Sequence, residues 1–513
     1  MTKKEQERLI ELEKRIKEIA VEFGLLTTDI LFEIVPAQRV LEGMSYMFPT
    51  NFSHWSFGRD YEKNRTIYEH TGHGIPYEQV WNFDVPRAFL VETNPFALNA
   101  MIVAHVYGHV DFFLGSRYCQ HGRTMSYVAE EARNAATRFA KYEEKYGKRI
   151  VEKVIDAGMS LMWHQNPDPF FEEQDEEEVR EQLLAFERAK LERFKDIESE
   201  FRKLETKQEI DKIERYLEWL SSKTPPEPTY DILKYITAKS PKPLKPWMVD
   251  VLTVLRNQAR ALSPNKRTKM LNEGWATFWH VRIMRRLFEE KLLASEEYKE
   301  YLSANDHGVF NKFHSGVTEE RKTSFNWYRI GLFMLENIEE RWNKGQFGRE
   351  YDEERNHAKR LSWDTTANLG KQKIFEVRSH YTDRMAVEEF FTDEFIREQQ
   401  LYIWVGINEG DNIIYVVGED DPTIIRQEIK SMMTMYGTPI IQVRDGNYEG
   451  NNHLYLKHIF NGYDLDSRYR DHTLANILYL WGRKIYLETV IDGNGALVSY
   501  ELEKKQPKIK IKQ

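Results

Sequence analysis

Apolar side chains recur at spacings of three and four over residues 2–23. Leu9, Leu12, Ile16, Ile19 and Phe23 form one stripe and Gly24 supplies a stop, which predicts an amphipathic helix docked on the body of the protein. Three short runs of β character follow, Leu31–Val35, Phe52–Phe57 and Ala88–Glu92. They are broken by Pro36, Pro49, Gly58 and Pro86, and predict a small sheet. From Ala97 to Leu114 the polar face disappears, which predicts a buried helix. Helical patterning continues from Gly115 to about Met162, with a break at Tyr142–Gly147. Residues 172–222 are dominated by Glu, Lys and Arg around a narrow seam of Phe194, Ile197, Phe201 and Leu204. This predicts a long charged helix, a helical hairpin or a coiled coil, serving as a solvated spacer or arm. Thr224-Pro-Pro-Glu-Pro228 ends it, because adjacent prolines cannot continue a helix.

Helices resume over Tyr230–Arg285 and Ser324–Lys344. Beyond Gln399 the period changes. Leu401–Val405 and Ile413–Val417 flank a turn and predict a hairpin. Pro439–Val443, His453–Ile459, Lys484–Val490 and Ala496–Glu501 predict further strands, with helices near Thr423–Met435 and Tyr469–Trp481. The lysine-rich end, Lys504–Gln513, reads as a disordered tail. The fold class is α+β, mainly α-helical, and the expected division is 1–165, 166–228, 229–380 and 381–513: N-terminal helix, small sheet and apolar helix; charged insertion; a second helical part; and a C-terminal α+β domain.

At 513 residues the chain has length for about three domains. Its 73 basic and 82 acidic residues give a net charge of −9, which argues against nucleic acid as a main partner. Cys119 is the only cysteine, so no intramolecular disulfide forms. No apolar run is read as long enough to cross a bilayer and the N-terminus is charged, so the expected location is cytoplasmic. Gly370-Lys371 is not a phosphate loop, since Thr365 stands where the upstream glycine belongs.

The chemistry sits in two stretches. His105-Val-Tyr-Gly-His109 puts two imidazoles one turn apart on one face of the apolar helix, which is metal-ligand spacing. Far downstream, Asn272-Glu-Gly-Trp-Ala276 with His280 heads another apolar helix, where Glu273 and His280 share a face. A histidine pair alone is more often packed core than ligand. Here Gly108 permits another backbone to approach, a small sheet precedes the helix, and a Glu-Gly-Trp-Ala helix follows. Together these are similar to a zincin whose His-Glu-x-x-His glutamate is replaced, because Val106 occupies its position. The expected ligands are His105, His109 and Glu273, holding one divalent transition metal. Zinc is the first choice, with iron or manganese also compatible.

Hydrolysis would need another proton acceptor. His280 is the first candidate, with orientation of Glu273 as its alternative role, and His314 in Phe313-His-Ser-Gly-Val317 is the second. His54 is the candidate substrate-binding residue. Asp111 falls about 200° round the helix from His109 and reads as a structural partner; Tyr107 is likewise off the ligand face.

At these residues the chain resembles a known family. Phe32-Glu-Ile-Val-Pro-Ala37, Phe52-Ser-His-Trp-Ser-Phe-Gly58, Ala104–Phe113, Asn272–Ala276 with Trp279-His280, Glu336–Trp342, Lys373–Arg378 and Leu480–Arg483 are similar to the motifs of the SpoVR family, named for stage V sporulation protein R. The resemblance implies a role in forming the spore cortex, a modified peptidoglycan, or in bacterial stress. It also implies an AAA+ serine-kinase-like protein and a von Willebrand-type protein as partners. It supplies no reaction. Gly158-Met159 departs from the family pattern, which has a Cys-His pair there. The function expected from residues and resemblance together is a metal-dependent amide hydrolase acting on a peptide or peptidoglycan-related molecule. The rival is a regulatory or scaffolding protein with a structural metal site, and Val106 favours it.

Overall fold

The computed structural model describes residues 1–46, 48, 51–71, 78–123, 127–166, 168, 170–171, 174–195, 203–310, 325–409, 412–433, 437–502, 504 and 506–511. Packing divides the chain into two units, Met1–Ala136 with Ala261–Gly437, and Thr137–Arg260 with Thr438–Gln513. The four consecutive segments expected from the sequence are cut elsewhere. Periodicity reports elements in chain order, whereas each unit is assembled from two separated stretches.

The first unit is built around the helix Phe96–Gly115. Every residue from Phe96 to Phe113 is buried, as a helix that is apolar all round requires. The helices Lys3–Glu22, Lys269–Glu289, Ser295–Asn305 and Gly370–His380 enclose it, together with one strand of the small sheet. This core helix has the length and mean hydropathy of a membrane span, which corrects the expectation that no run reaches that length; 94% of its most apolar window is buried inside the protein.

The first helix, Lys3–Glu22, is fixed at its start by a capping box. Thr2 Oγ1 accepts the Glu5 N–H at 3.3 Å and the Glu5 carboxylate accepts the Thr2 N–H at 2.7 Å. Leu9, Leu12, Ile16 and Ile19 form its buried stripe.

Strands β1 (Leu31–Val35), β2 (Glu78–Trp81) and β3 (Arg87–Val91) form the sheet in the order β1-β3-β2. β1 runs parallel to β3, with Ile34 opposite Leu90, and β2 is antiparallel to β3. The second strand predicted by the sequence, Phe52–Phe57, is instead the approach to and first turn of a helix, Trp55–Thr71. Its aromatics suggested β structure, but Phe52 and Phe57 bury against each other, ring centroids 5.6 Å apart, at the head of that helix. The predicted hairpin forms as β4 (Ile403–Glu409) and β5 (Asn412–Glu419) within this unit, followed by the helix Pro422–Met433.

In the second unit the charged segment is two helices, Glu176–Lys195 and Lys203–Ser222, packed against each other. The predicted seam is divided between them: Phe194 ends the first and Leu204 begins the second, while Ile197 and Phe201 lie outside the described residues. Arg180 clamps the far end of the pair, donating to the carbonyls of Leu220 at 2.8 Å and Lys223 at 2.7 Å.

Gly158 lies on the helix Lys148–Met159, against Leu252 and Leu255 of the helix Pro246–Arg267. A Cβ there would sit 2.4 Å from Leu255 Cδ1, so a cysteine at this position would need that leucine to move. Strands β6 (Ile441–Tyr448), β7 (His453–His458), β8 (Ile485–Ile491), β9 (Asn494–Tyr500) and β10 (Lys508–Ile511) form a sheet in the order β10-β9-β8-β7-β6. β7 and β8 are parallel and are joined by the helix Ser467–Trp481, as a parallel crossover requires. β10 corrects the expectation of a disordered tail. Lys508-Ile-Lys-Ile511 alternates with a period of two and pairs antiparallel with β9.

Candidate metal centre

Two helices supply the site. The core helix carries His105 and His109, one turn apart, and the helix Lys269–Glu289 crosses it carrying Glu273. Glycines set how closely they approach. A Cβ on Gly108 would lie 2.6 Å from Ala276 Cα, and one on Gly274 would lie 2.5 Å from Cα of Gly331 in the next helix, Trp327–Lys344. Three helices are therefore in backbone contact at the level of the site, and no residue with a side chain fits at Gly108 or Gly274 without moving a helix.

The crossing brings one donor atom from each of His105, His109 and Glu273 within 4.8 Å of one another, all three residues being buried. Nε2 of each imidazole lies 3.5 Å from Glu273 Oε2. That carboxylate oxygen is buried and accepts no hydrogen bond of normal geometry.

Neighbouring groups fix which ring nitrogens carry protons. His109 Nδ1 meets Asn272 Oδ1 at 2.9 Å, an amide oxygen that can only accept, so the proton is on Nδ1 and the lone pair on Nε2. His280 Nε2 donates to Asn305 Oδ1 at 3.1 Å, which leaves His280 Nδ1 as an acceptor. It faces His105 Nδ1 at 2.9 Å. His105 therefore donates from Nδ1, and its Nε2 lone pair also points at Glu273. Two nitrogen lone pairs and a carboxylate oxygen converge on one point.

Charge states agree. Burial would push the Glu273 carboxyl up, but the Lys269 ammonium on Oε1 leads the interactions that outweigh burial and hold it well below the ordinary carboxylate range. Burial lowers His109 to about 4, with His105 adding to the effect against the pull of Glu273. Burial, helped by His105, likewise holds His280 well below its ordinary value. An ionised carboxylate beside the neutral imidazole of His109 is a protonation state that suits a divalent ion.

Matches to known proteins run the length of this architecture. The family model described as SpoVR like protein matches residues 3–438, and the model of the SpoVR-like C-terminal domain matches 439–492. The chain belongs to the SpoVR family. The boundary between the two family models falls beside the return of the chain to the second unit at Thr438. A SpoVR-family relative, the uncharacterised protein YcgB of Escherichia coli strain K12, is 24% identical over 493 residues, covering 92% of this chain and 90% of its own. No solved structure matches.

The SpoVR motifs have visible tasks here. Asp111 points away from the site, accepting the Leu26 N–H and Trp275 Nε1–H, each at 2.7 Å, beside the buried Arg378 of Lys373–Arg378. Tyr107 also leaves the opposite side, its hydroxyl donating to Glu13. His280 stands behind His105 with both ring nitrogens engaged, Nδ1 at His105 and Nε2 at Asn305, and is not seen in contact with Glu273 among the described residues. His54 lies at the head of the helix Trp55–Thr71, Nδ1 2.8 Å from Ser56 Oγ and its ring against Trp55 and Phe57. His314 lies outside the described residues.

Sequence reasoning missed four contributors. Lys269 precedes Glu273 by four residues, a helical pair that spacing could have shown. Asn272 adjoins Glu273 but was assigned no task. Asn305 ends another helix, and Tyr328, whose ring stacks at 6.1 Å on His105, starts a third; neither carries a local signal.

Proposed function

We propose that this SpoVR-family chain holds one divalent transition metal, zinc first, on His105, His109 and Glu273, and uses it in zincin-like fashion to hydrolyse an amide in a peptide or peptidoglycan-related molecule. The observation that carries the reading is the chain of proton assignments from Asn305 through His280 to His105, and from Asn272 to His109, which turns both Nε2 lone pairs toward an ionised carboxylate. Without a cation between them these groups repel. Two imidazole nitrogens and one carboxylate oxygen are a catalytic zinc donor set. A zinc ion so held supplies Lewis acidity, lowering the pKa of bound water toward about 7. Lys269 holds Glu273 ionised and aligned, and Asn272 and His280 lock the two rings. Tyr328, whose ring stacks on His105 at 6.1 Å, is the candidate for contacting substrate.

A second reading is favoured by Val106. It stands where the general base of the His-Glu-x-x-His motif would be and is wholly buried. On that reading the metal is structural, and the protein acts by binding the kinase-like and von Willebrand-type partners implied by its family.

The test is elemental analysis of the full chain purified without chelator. About one transition metal per chain is expected, lost in His105→Ala and in Glu273→Gln while melting curves stay cooperative. Wild-type protein with no metal above background, also after incubation with zinc, ends both readings. Amine release from peptidoglycan fragments that requires Glu273 supports the hydrolase; a metal-loaded protein without such release leaves the structural reading.

A further inference from the structure

The second unit contains a cleft of about 620 Å³ between the C-terminal end of the helix Lys203–Ser222 and the β6–β7 edge of its sheet. That is the size of a small-molecule site. Aromatic side chains form much of its wall. Trp219 comes from the helix, and Tyr448 and Tyr455 come from the two strands, ring centroids 4.6 Å apart.

Its lining carries three cations, Lys223, Arg444 and Lys457, and three carboxylates, Asp445, Glu449 and Glu488, but they do not all pair with one another. Each acidic group of the lining is engaged: Glu488 by the Tyr455 hydroxyl and by Lys457 at 3.4 Å, Glu449 by the Tyr486 hydroxyl at 3.1 Å and His453 at 3.4 Å, and Asp445 by the Asn447 N–H at 2.8 Å. Arg444 has no hydrogen bond or ion pair to any described residue, and its Nε is buried. Lys223, the second cation on that wall, donates to the Pro226 carbonyl at 3.1 Å, lies over the Trp219 ring at 4.6 Å and feels the charge of Asp445 without a direct ion pair to it among the described residues. A buried guanidinium nitrogen left without an acceptor costs free energy that an anion would recover.

We propose that this cleft is a second binding site, for a small anion bearing a planar ring, of the mononucleotide class: the anionic group on Arg444 and Lys223, the ring against Trp219 and the tyrosines. Guanidinium and ammonium donors suit phosphate oxygens, and aromatic walls suit a base whose ring carries no charge of its own. Glu488 is offset by Lys457 and the other two acids are already hydrogen-bonded, whereas Arg444 Nε is buried without an acceptor, so the guanidinium is the group of the lining that a ligand anion would satisfy.

The experiment is isothermal titration of the full metal-replete chain with AMP, GMP, adenosine and inorganic phosphate. Saturable binding of a mononucleotide is expected, at least tenfold tighter than adenosine or phosphate alone. Arg444→Met and Lys223→Met should each weaken it tenfold or more, and Trp219→Ala by about five- to a hundredfold, the range for loss of one base stack, with unchanged melting temperatures as the control for folding. Arg444→Lys should retain part of the affinity if the wild-type arginine acts through charge. No binding of either mononucleotide at millimolar concentration, phosphate binding as tightly as AMP, or mononucleotide binding that survives Arg444→Met in a folded protein overturns the proposal.

Discussion

His280 has one ring nitrogen on Asn305 and the other on His105, so its replacement should act through His105 rather than on substrate directly. His280→Ala is expected to lower metal affinity by about 10- to 100-fold, the usual cost of losing a group that orients a ligand, read from competition with a chromophoric chelator. An asparagine able to accept from His105 Nδ1 should recover part of it. Gly108 is equally testable. Gly108→Ala places a Cβ 2.6 Å from Ala276 Cα, and should cost about 1–3 kcal/mol in urea unfolding while moving Glu273 away from the histidines, so that metal content falls with stability. At this scale the sequence showed a good deal. Helical spacing alone put His105 and His109 on one face, and the residue types named Glu273. It could not show Asn305 or Tyr328, since nothing local marks a residue that reaches the site from another helix. Nor could it show that His280 faces His105, because helical phase gives a face and not a partner.

Helices were more legible than strands. The apolar stripe of Lys3–Glu22 and the all-apolar Phe96–Gly115 were readable because their burial follows their own period. Phe52–Phe57 misled because aromatic residues favour strands and buried helix starts alike. The tail misled in the opposite sense, since its lysines concealed a period of two that β9 completes. One contact between elements has a pH signature. Arg15 of the first helix donates to Glu290, just past the end of the Glu273 helix, at 2.8 and 2.7 Å. Hydrogen bonds from Arg15, and after it Arg286, hold the Glu290 carboxyl at about 2 despite some burial. A carboxyl lowered by folding contributes stability above its unfolded value near 4.5, and loses that contribution as pH falls toward 2. The pair is on the surface, so the effect should be about 1 kcal/mol or less. In wild type minus Glu290→Gln, the difference in urea midpoint should be positive at pH 7 and shrink to zero between pH 4.5 and 2; a difference that grows on acidification would refute the assignment.

At the scale of the whole molecule, fold class was legible in the chain but assembly was not. Nothing in a linear pattern announces that residues 137–260 find their sheet in residues 438–513, or that the hairpin at 403–419 belongs with the first unit. A chain ending at Gly437 should therefore keep a cooperative melting transition for the first unit and a full complement of metal, while residues 137–260, deprived of β6–β10, become the region cut first by protease. Loss of metal in that truncation would show that the first unit is not self-sufficient. The same interleaving sets an order of events during synthesis. The long excursion after Ala136 emerges from the ribosome early but stays incomplete until the last strands appear, so its charged helical pair, rich in glutamate and lysine, suits a segment that must remain dispersed in water while it waits.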